Sequence, residues 1–238
     1  MDFQHLVDFW SKDFYAEPIS IACMLFALCI SLTFHKEERI RVVFIIYIIA
    51  GLLLLAIPIV RNMLGTYTVR SALVLNEMGN TIFENIELYV FLFFFSQVLK
   101  STFLNRIFLA LALIFLVLSC YYFFWLLQSK ASNTKIIKFS MQLNALEMLF
   151  LLIACLTYYF HLFKERPLID LFKKPSFLIT VSLLFYCIII IPFFVIGESL
   201  RKSNPSVYNL LSFVHFMTFS LVYLSITKAF LCKAQLTK

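Results

Sequence analysis

The sequence is poor in charged residues. Only 14% of its 238 residues are Asp, Glu, Lys or Arg, whereas 62% are hydrophobic. Soluble globular domains are about 45–50% apolar and about 25% charged. Together with a mean hydropathy of +0.93, this composition excludes a soluble globular domain and indicates an integral membrane protein. The lipid bilayer is therefore the first partner that we expect.

Glycine is also scarce, with four residues in the whole chain. Phosphate-binding and dinucleotide-binding loops need closely spaced glycines, and none of these patterns occurs. The chain likewise has no G-x-S-x-G nucleophile motif and no H-E-x-x-H zinc motif. We therefore expect no enzymatic activity and no cofactor. Transporters favour helices broken at mid-membrane, and for such breaks the chain offers little beyond Gly51, Pro58 and Pro192.

Six cysteines are present, but no two form a C-x-x-C pair. Five of them lie within apolar segments and Cys232 lies just beyond the last one. Cysteine in such segments is usually a small buried hydrophobic residue. We interpret them in that way, not as disulfides or metal ligands.

Apolar runs long enough to cross a bilayer recur along the chain. A membrane-spanning helix needs about 20 apolar residues. The pattern predicts an all-α, seven-helix membrane bundle, in which short polar turns such as residues 35–39 force neighbouring helices to be antiparallel. The predicted spans are residues 18–34, 40–60, 81–99, 104–127, 136–163, 175–196 and 207–230.

The distribution of basic residues predicts the orientation of the bundle. Cytoplasmic loops carry an excess of Lys and Arg. An outside N-terminus places twelve of the 20 basic residues inside and eight outside. We therefore predict an acidic extracytoplasmic tail over residues 1–17, which lacks the basic start of a signal peptide, and a cytoplasmic tail over residues 231–238. The net charge of +7 then reflects topology and anionic headgroups, and nucleic acid is not an expected partner.

The third span carries two carboxylates, Glu84 and Glu87, near its start. An acidic residue at the centre of a membrane helix costs roughly 2.5–3.5 kcal/mol, so such residues usually face the bundle interior or a water-filled cavity. Their i, i+3 spacing places both on one helical face. This face needs partners from other helices.

Spans five and seven supply polar residues at a comparable depth, because both run in the same direction as span three. We predict an outward-open cavity that binds a cation, a proton or a small cationic ligand and is lined by Glu84, Glu87, Asn144, Glu147 and His215. Glu198, Tyr67 or Arg70 are candidates to close its top. The alternative is that these groups satisfy one another across helix interfaces, as polar residues in membrane bundles often do.

Two other functions remain open. A small ion or solute transporter needs a continuous polar path, and below the cluster span seven offers mainly hydroxyls, which bond to their own helix. A membrane-embedded metal-dependent hydrolase needs further histidine ligands. The only histidine at the right depth is His215, since His35 and His161 lie near the opposite face.

Residues 161–194, HLFKERPLIDLFKKPSFLITVSLLFYCIIIIPFF, combine a basic, Pro-containing turn with a Lys-Pro-Ser-Phe start to span six. This segment resembles the seven-helix membrane sensor domains associated with bacterial two-component histidine kinases. The resemblance implies a bundle in a bacterial inner membrane that receives a stimulus and passes it to a cytoplasmic kinase. Because only eight residues follow Phe230, we expect the output to pass through a partner chain.

Overall fold

The computed structural model describes residues 16–33, 39–64, 69–128, 132–165 and 174–235, and within these ranges the chain is all α-helical. This confirms the predicted fold class. The seven helices of the described ranges are α1 Ala16–Thr33, α2 Arg39–Leu64, α3 Val69–Leu99, α4 Thr102–Gln128, α5 Asn133–Glu165, α6 Pro175–Ser203 and α7 Pro205–Gln235.

Five of these helices are long and apolar enough to cross a membrane, as a multi-pass protein requires. They contain the segments Leu73–Leu99, Thr102–Gln128, Asn133–Lys164, Pro175–Ser203 and Pro205–Leu231, and α1 and α2 add shorter apolar segments, Ile19–Leu32 and Ile40–Leu54. Most of the predicted acidic tail and the turn at residues 35–38 lie outside the described residues. The orientation of the termini stays a prediction.

The helix boundaries follow local sequence signals. Pro175 and Pro205 occupy the first positions of α6 and α7, where the missing N–H of proline is not needed. Helix α3 ends at Lys100, whose left-handed φ of 51° is a common helix stop. Ser101 then accepts a hydrogen bond from the Leu104 N–H at 3.4 Å, which caps α4. A two-residue connection therefore holds α3 and α4 together as antiparallel neighbours.

Helix α3 is longer than the span predicted at residues 81–99, because it begins at Val69. Gly79 and Asn80, residue types that often interrupt helices, directly precede the predicted span, yet both lie inside the helix. Polar side chains in this part bond to the helix itself: Thr81 Oγ1 donates to the Glu77 carbonyl at 2.8 Å. The extension places Asn76, Glu77 and Asn80 on the helix that carries Glu84 and Glu87.

Six of the helices form a closed ring in the order α1, α2, α3, α5, α6, α7, with α7 returning to α1. Helix α4 lies outside this ring and packs against α3 and α5. Its outer face exposes large apolar side chains such as Phe103, Val117 and Phe124, as expected for a lipid-facing surface. The six ring helices therefore enclose the interior of the bundle.

One half of this interior is filled by aromatic side chains. Phe44 of α2 is at the centre, with ring centroids 5.8 Å from Phe91, 5.7 Å from Phe94 and 6.2 Å from Phe230. Phe95 continues the contacts at 5.3 Å from Phe94. Edge-to-face contacts of this kind stabilise a dry core. We call these five residues the aromatic plug.

Two of the cysteines do not fit the prediction that they are buried. Cys155 and Cys187 are buried, and Cys23 is half-buried. Cys29 and Cys120 are exposed on the bundle surface. A small apolar thiol is tolerated on a lipid-facing surface as well as in a core, so span membership alone does not decide its burial.

Candidate functional site

The other half of the ring contains a cavity of about 470 Å³. All six ring helices contribute side chains to it and α4 contributes none. It extends from the middle of the bundle to the end where α3, α5 and α7 begin, reaching Leu73, Arg201 and Tyr208. The five residues selected from the sequence all line it: Glu84, Glu87, Asn144, Glu147 and His215. Their role in binding stays a prediction.

Four glutamates meet in this cavity: Glu77, Glu84 and Glu87 of α3, and Glu147 of α5. We call them the acidic cluster. Their exposures are 8%, 6%, 3% and 1% in that order, so all four are more than nine-tenths buried. Glu84 lies close enough to Glu77 and Glu87 for their charges to interact, and Glu147 interacts with Glu84 and Glu87. Ionised together, these side chains repel one another across the α3–α5 interface.

Glu87 is held by a tyrosine that the sequence analysis did not select. The Tyr47 hydroxyl of α2 donates to Glu87 Oε1 at 2.9 Å. Tyr47 is fully buried and its ring stacks on Tyr223 at 5.3 Å and on Phe83 at 5.5 Å. It also contacts Phe91 of the aromatic plug at 5.5 Å. Tyr47 therefore positions Glu87 and links the acidic cluster to the packed half of the bundle.

Several buried acceptor atoms in the cavity wall have no hydrogen-bond partner within the described part of the chain. They are Asn76 Oδ1, Glu77 Oε2, Glu84 Oε2, Asn144 Oδ1 and Glu147 Oε1. Among the side chains that the structure describes, which exclude those of Arg61 and Arg70, no glutamate of the acidic cluster forms an ion pair with Lys or Arg. A buried carboxylate without a compensating charge is strongly unfavourable. These side chains therefore need protons, or donors on a bound molecule.

Helices α6 and α7 line the same cavity with aromatic residues. His215 is at their centre, with ring centroids between 5.6 Å and 6.2 Å from five neighbours. These neighbours, which we call the aromatic wall, are Tyr186, Phe193, Phe194, Phe216 and Phe219. The His215 Nδ1 is buried without a partner among the residues described. The cavity thus combines acidic and aromatic surfaces.

The residues expected to close the top of the cavity are only partly seen. Glu198 is not among the lining residues and pairs with Lys202 at 2.8 Å instead. Arg201, three residues further along α6, does line the cavity. The side chains of Tyr67 and Arg70 lie outside the described residues. The end of the cavity where α3, α5 and α7 begin therefore carries one described basic side chain, Arg201.

Glu77, Asn76 and Asn80 also line the cavity, although the sequence analysis did not select them. The signal was present, because Glu77 precedes Glu84 by seven residues and Asn80 precedes Glu87 by seven, which places them on one helical face. The predicted start of the span at residue 81 leaves these three residues outside the helix. No comparable signal marks Tyr47, which is one of 11 tyrosines in a largely apolar chain.

In the described ranges, no group of three His, Cys, Asp or Glu side chains is arranged to hold a metal ion. The acidic cluster and His215 line one cavity without forming a ligand shell, so a metal-dependent hydrolase gains no support from the geometry. Comparison of the chain with protein-family models, curated proteins and solved structures found no match. The likeness to sensor domains therefore remains an expectation from residues 161–194, and function has to be argued from the site.

Proposed function

We propose that this chain is a multi-pass membrane sensor that binds a cation, as a proton or a small cationic ligand, in the acidic cavity and signals through a partner chain. One observation carries the proposal: four glutamates, each more than nine-tenths buried, line a single cavity. Among the described residues none of them is paired with Lys or Arg. A positive charge entering the cavity removes an electrostatic penalty that the described side chains leave uncompensated.

The proposed mechanism is a shift between two packings of the ring. Mutual repulsion in the acidic cluster separates α3 from α5, and a bound cation draws the two helices together. A ligand shifts such an equilibrium only by its differential affinity for the two states. Here the difference in affinity between the two states comes from the distance between Glu84 and Glu147, which is shorter in the state that binds the cation. Tyr47 passes the change on, since it bonds to Glu87 and stacks on Tyr223 of α7.

The aromatic plug favours a sensor over the alternative, a small ion or solute transporter. Past Glu87, the interior continues through Phe91, Phe94 and Phe95, all of which are buried. In this half Thr227 Oγ1 bonds to its own helix, at the Tyr223 carbonyl at 2.9 Å, and the Tyr158 hydroxyl pairs with Ser176 of α6 at 3.2 Å. Ion-conducting pores present carbonyl or charged groups at their selectivity filters, whereas the plug presents only aromatic rings. A cavity closed at one end suits ligand detection.

With the predicted orientation, the cavity opens to the outside of a cell membrane, which we take to be a bacterial inner membrane. The cytoplasmic ends of the helices then lie beyond the aromatic plug, and we expect the partner to bind on that side. The stimulus enters at one surface and the output leaves at the other, with Tyr47 and the plug between them.

The test uses the full chain in lipid nanodiscs. Hydrogen exchange and Tm are measured while pH and added cations are varied, for the wild type, Glu147→Gln and Glu198→Gln. The proposal expects a cation-dependent change that Glu147→Gln abolishes and Glu198→Gln keeps, because Glu198 is an acid outside the cavity. Wild-type protein that responds to neither pH nor any cation contradicts it. Cation flux into liposomes that disappears in Glu87→Gln would establish the transporter instead.

A further inference from the structure

The unsatisfied groups of the cavity specify more than a positive charge. Five buried oxygen acceptors without a partner in the described ranges belong to lining residues, three of them on glutamates and two on asparagines. A quaternary ammonium group is cationic but offers no N–H. A metal ion needs its ligands in one shell, and none was found in the described ranges. A ligand that presents several N–H donors satisfies these acceptors best.

The acids are also spread along the cavity and do not surround one point. Glu77, Glu84 and Glu87 share a face of α3, and at a rise of 1.5 Å per residue they span about 15 Å along the helix axis. Glu147 joins the deeper end, where it interacts with Glu84 and Glu87. One small cation cannot reach both ends of this row. Two or more cationic centres on a linear chain match it.

The rest of the lining suits the apolar part of such a molecule. The aromatic wall provides ring faces and edges along which methylene groups pack, and an ammonium group near a ring face gains a cation–π attraction. The volume of about 470 Å³ is within the range of about 300–1,000 Å³ that is typical of small-molecule sites. Arg201, at the end where α3, α5 and α7 begin, repels ammonium groups and favours their placement among the acids.

We propose that the cavity binds a linear aliphatic diamine or polyamine. One ammonium group donates to Glu84 and Glu147 at the deep end, a second donates to Glu77, and the methylene chain lies along the aromatic wall. This inference rests on the proposed function, since it names the ligand class of the same cavity.

The test compares four ligands of matched length on the full chain in nanodiscs, by calorimetry and Tm. Hexamethylenediamine has two ammonium ends, hexylamine has one, aminocaproate replaces one end with a carboxylate, and hexamethonium has two cationic ends without N–H. We expect the diamine to bind at least about tenfold more tightly than each of the others, the loss expected for one charge-assisted hydrogen bond.

Glu77→Gln separates the two ends of the ligand. It should weaken diamine binding by about tenfold or more, because the second ammonium group loses its charged partner. Hexylamine occupies the deep end alone, so its affinity should stay within about twofold, a difference of roughly 0.4 kcal/mol. Glu198→Gln is the matched control and should leave the affinity for both amines unchanged.

Each other outcome has a defined meaning. Hexamethonium binding as tightly as the diamine overturns the inference, because N–H donors are then irrelevant. Tighter binding of aminocaproate also overturns it and assigns a carboxylate to Arg201. A conformational response to protons or metal ions but not to any amine refutes the ligand class and leaves the proposed function standing. A protein that responds to none of these probes refutes both.

Discussion

At the scale of single residues, the central feature is a set of buried acids that have few hydrogen-bond partners. Glu87 has one strong hydrogen bond, from Tyr47 at 2.9 Å, whereas Glu77, Glu84 and Glu147 each keep one oxygen without a partner within the described ranges. In native structures the large majority of buried polar atoms have a hydrogen-bond partner, so each exception calls for an explanation. Single substitutions in the acidic cluster and at its hydrogen-bond partners are therefore the most direct tests of the cavity.

Tyr47→Phe removes the hydroxyl that bonds to Glu87 and keeps the stacked ring. The loss leaves a buried carboxyl oxygen unsatisfied, so we expect the free energy of unfolding to fall by about 1–3 kcal/mol. Tm in nanodiscs measures the change. Tyr121→Phe, at a tyrosine that is 60% exposed on α4, is the control and should have little effect. Equal effects of the two substitutions would show that Tyr47 does not position Glu87.

Glu147→Gln removes a charge from the acidic cluster with almost no change in size. Because Glu147 interacts with Glu84 and Glu87, we expect Tm of the ligand-free protein at neutral pH to rise by about 2–4 °C, or roughly 1 kcal/mol for a chain of this size. Cation affinity should fall by about tenfold or more. Opposite signs for stability and binding identify a functional acid. If both fell together, Glu147 would be a structural residue.

At the scale of helices, α3 does most to build the site. It runs without a break from Val69 to Leu99, and one of its faces carries three members of the acidic cluster and then the buried phenylalanines of the plug. The same helix contacts α2, α4 and α5. Ligand-dependent movement of α3 would therefore reach three neighbours directly. How closely those neighbours approach depends on small residues at the contacts.

Gly51 of α2 is such a contact. A Cβ added there would lie 3.0 Å from the Tyr223 hydroxyl, 3.1 Å from Met24 Cε and 3.3 Å from Phe83. Gly51→Ala should therefore lower the free energy of unfolding by about 1–3 kcal/mol through overpacking, despite the better helix propensity of alanine.

Gly197→Ala is the matched control for this substitution. The nearest atom to a Cβ at this position is Met141 Cε at 3.1 Å, the end of a flexible side chain. We expect Tm of Gly197→Ala to equal or exceed the wild-type value. A stable Gly51→Ala protein would mean that α1, α3 and α7 adjust around α2 more freely than the close contacts imply.

At the scale of the whole molecule, a six-helix ring encloses a cavity in one half and an aromatic plug in the other, with α4 packed outside. This division separates a half lined by polar side chains from a half packed with aromatic rings. It supports a sensor whose ligand enters from one surface and does not cross. Which surface that is depends on the orientation of the bundle.

Cysteine labelling tests the orientation. In a variant without the six native cysteines, Asp2→Cys should react with a membrane-impermeant maleimide on intact cells, and Leu236→Cys should react only after the cells are opened. This is the result expected from the excess of basic residues in the loops predicted to be cytoplasmic. Reversed labelling would place the cavity mouth on the cytoplasmic side and exclude an external stimulus.

Helix type and the membrane environment followed from the sequence alone, because long apolar runs with few glycines leave a chain little choice but helices that satisfy their own backbone in lipid. The inward placement of Glu84, Glu87 and Glu147 followed as well, since buried charge is costly in lipid. The sequence did not predict the part of α3 before Thr81, which contains Glu77. Gly79 and Asn80 are residue types that often interrupt helices, and tertiary contacts stabilise the helix through them. Only the tertiary structure decided that α4 lies outside the ring and that Tyr47 bonds to Glu87. Such pairings depend on how side chains from distant helices fit together, and no local pattern records that fit.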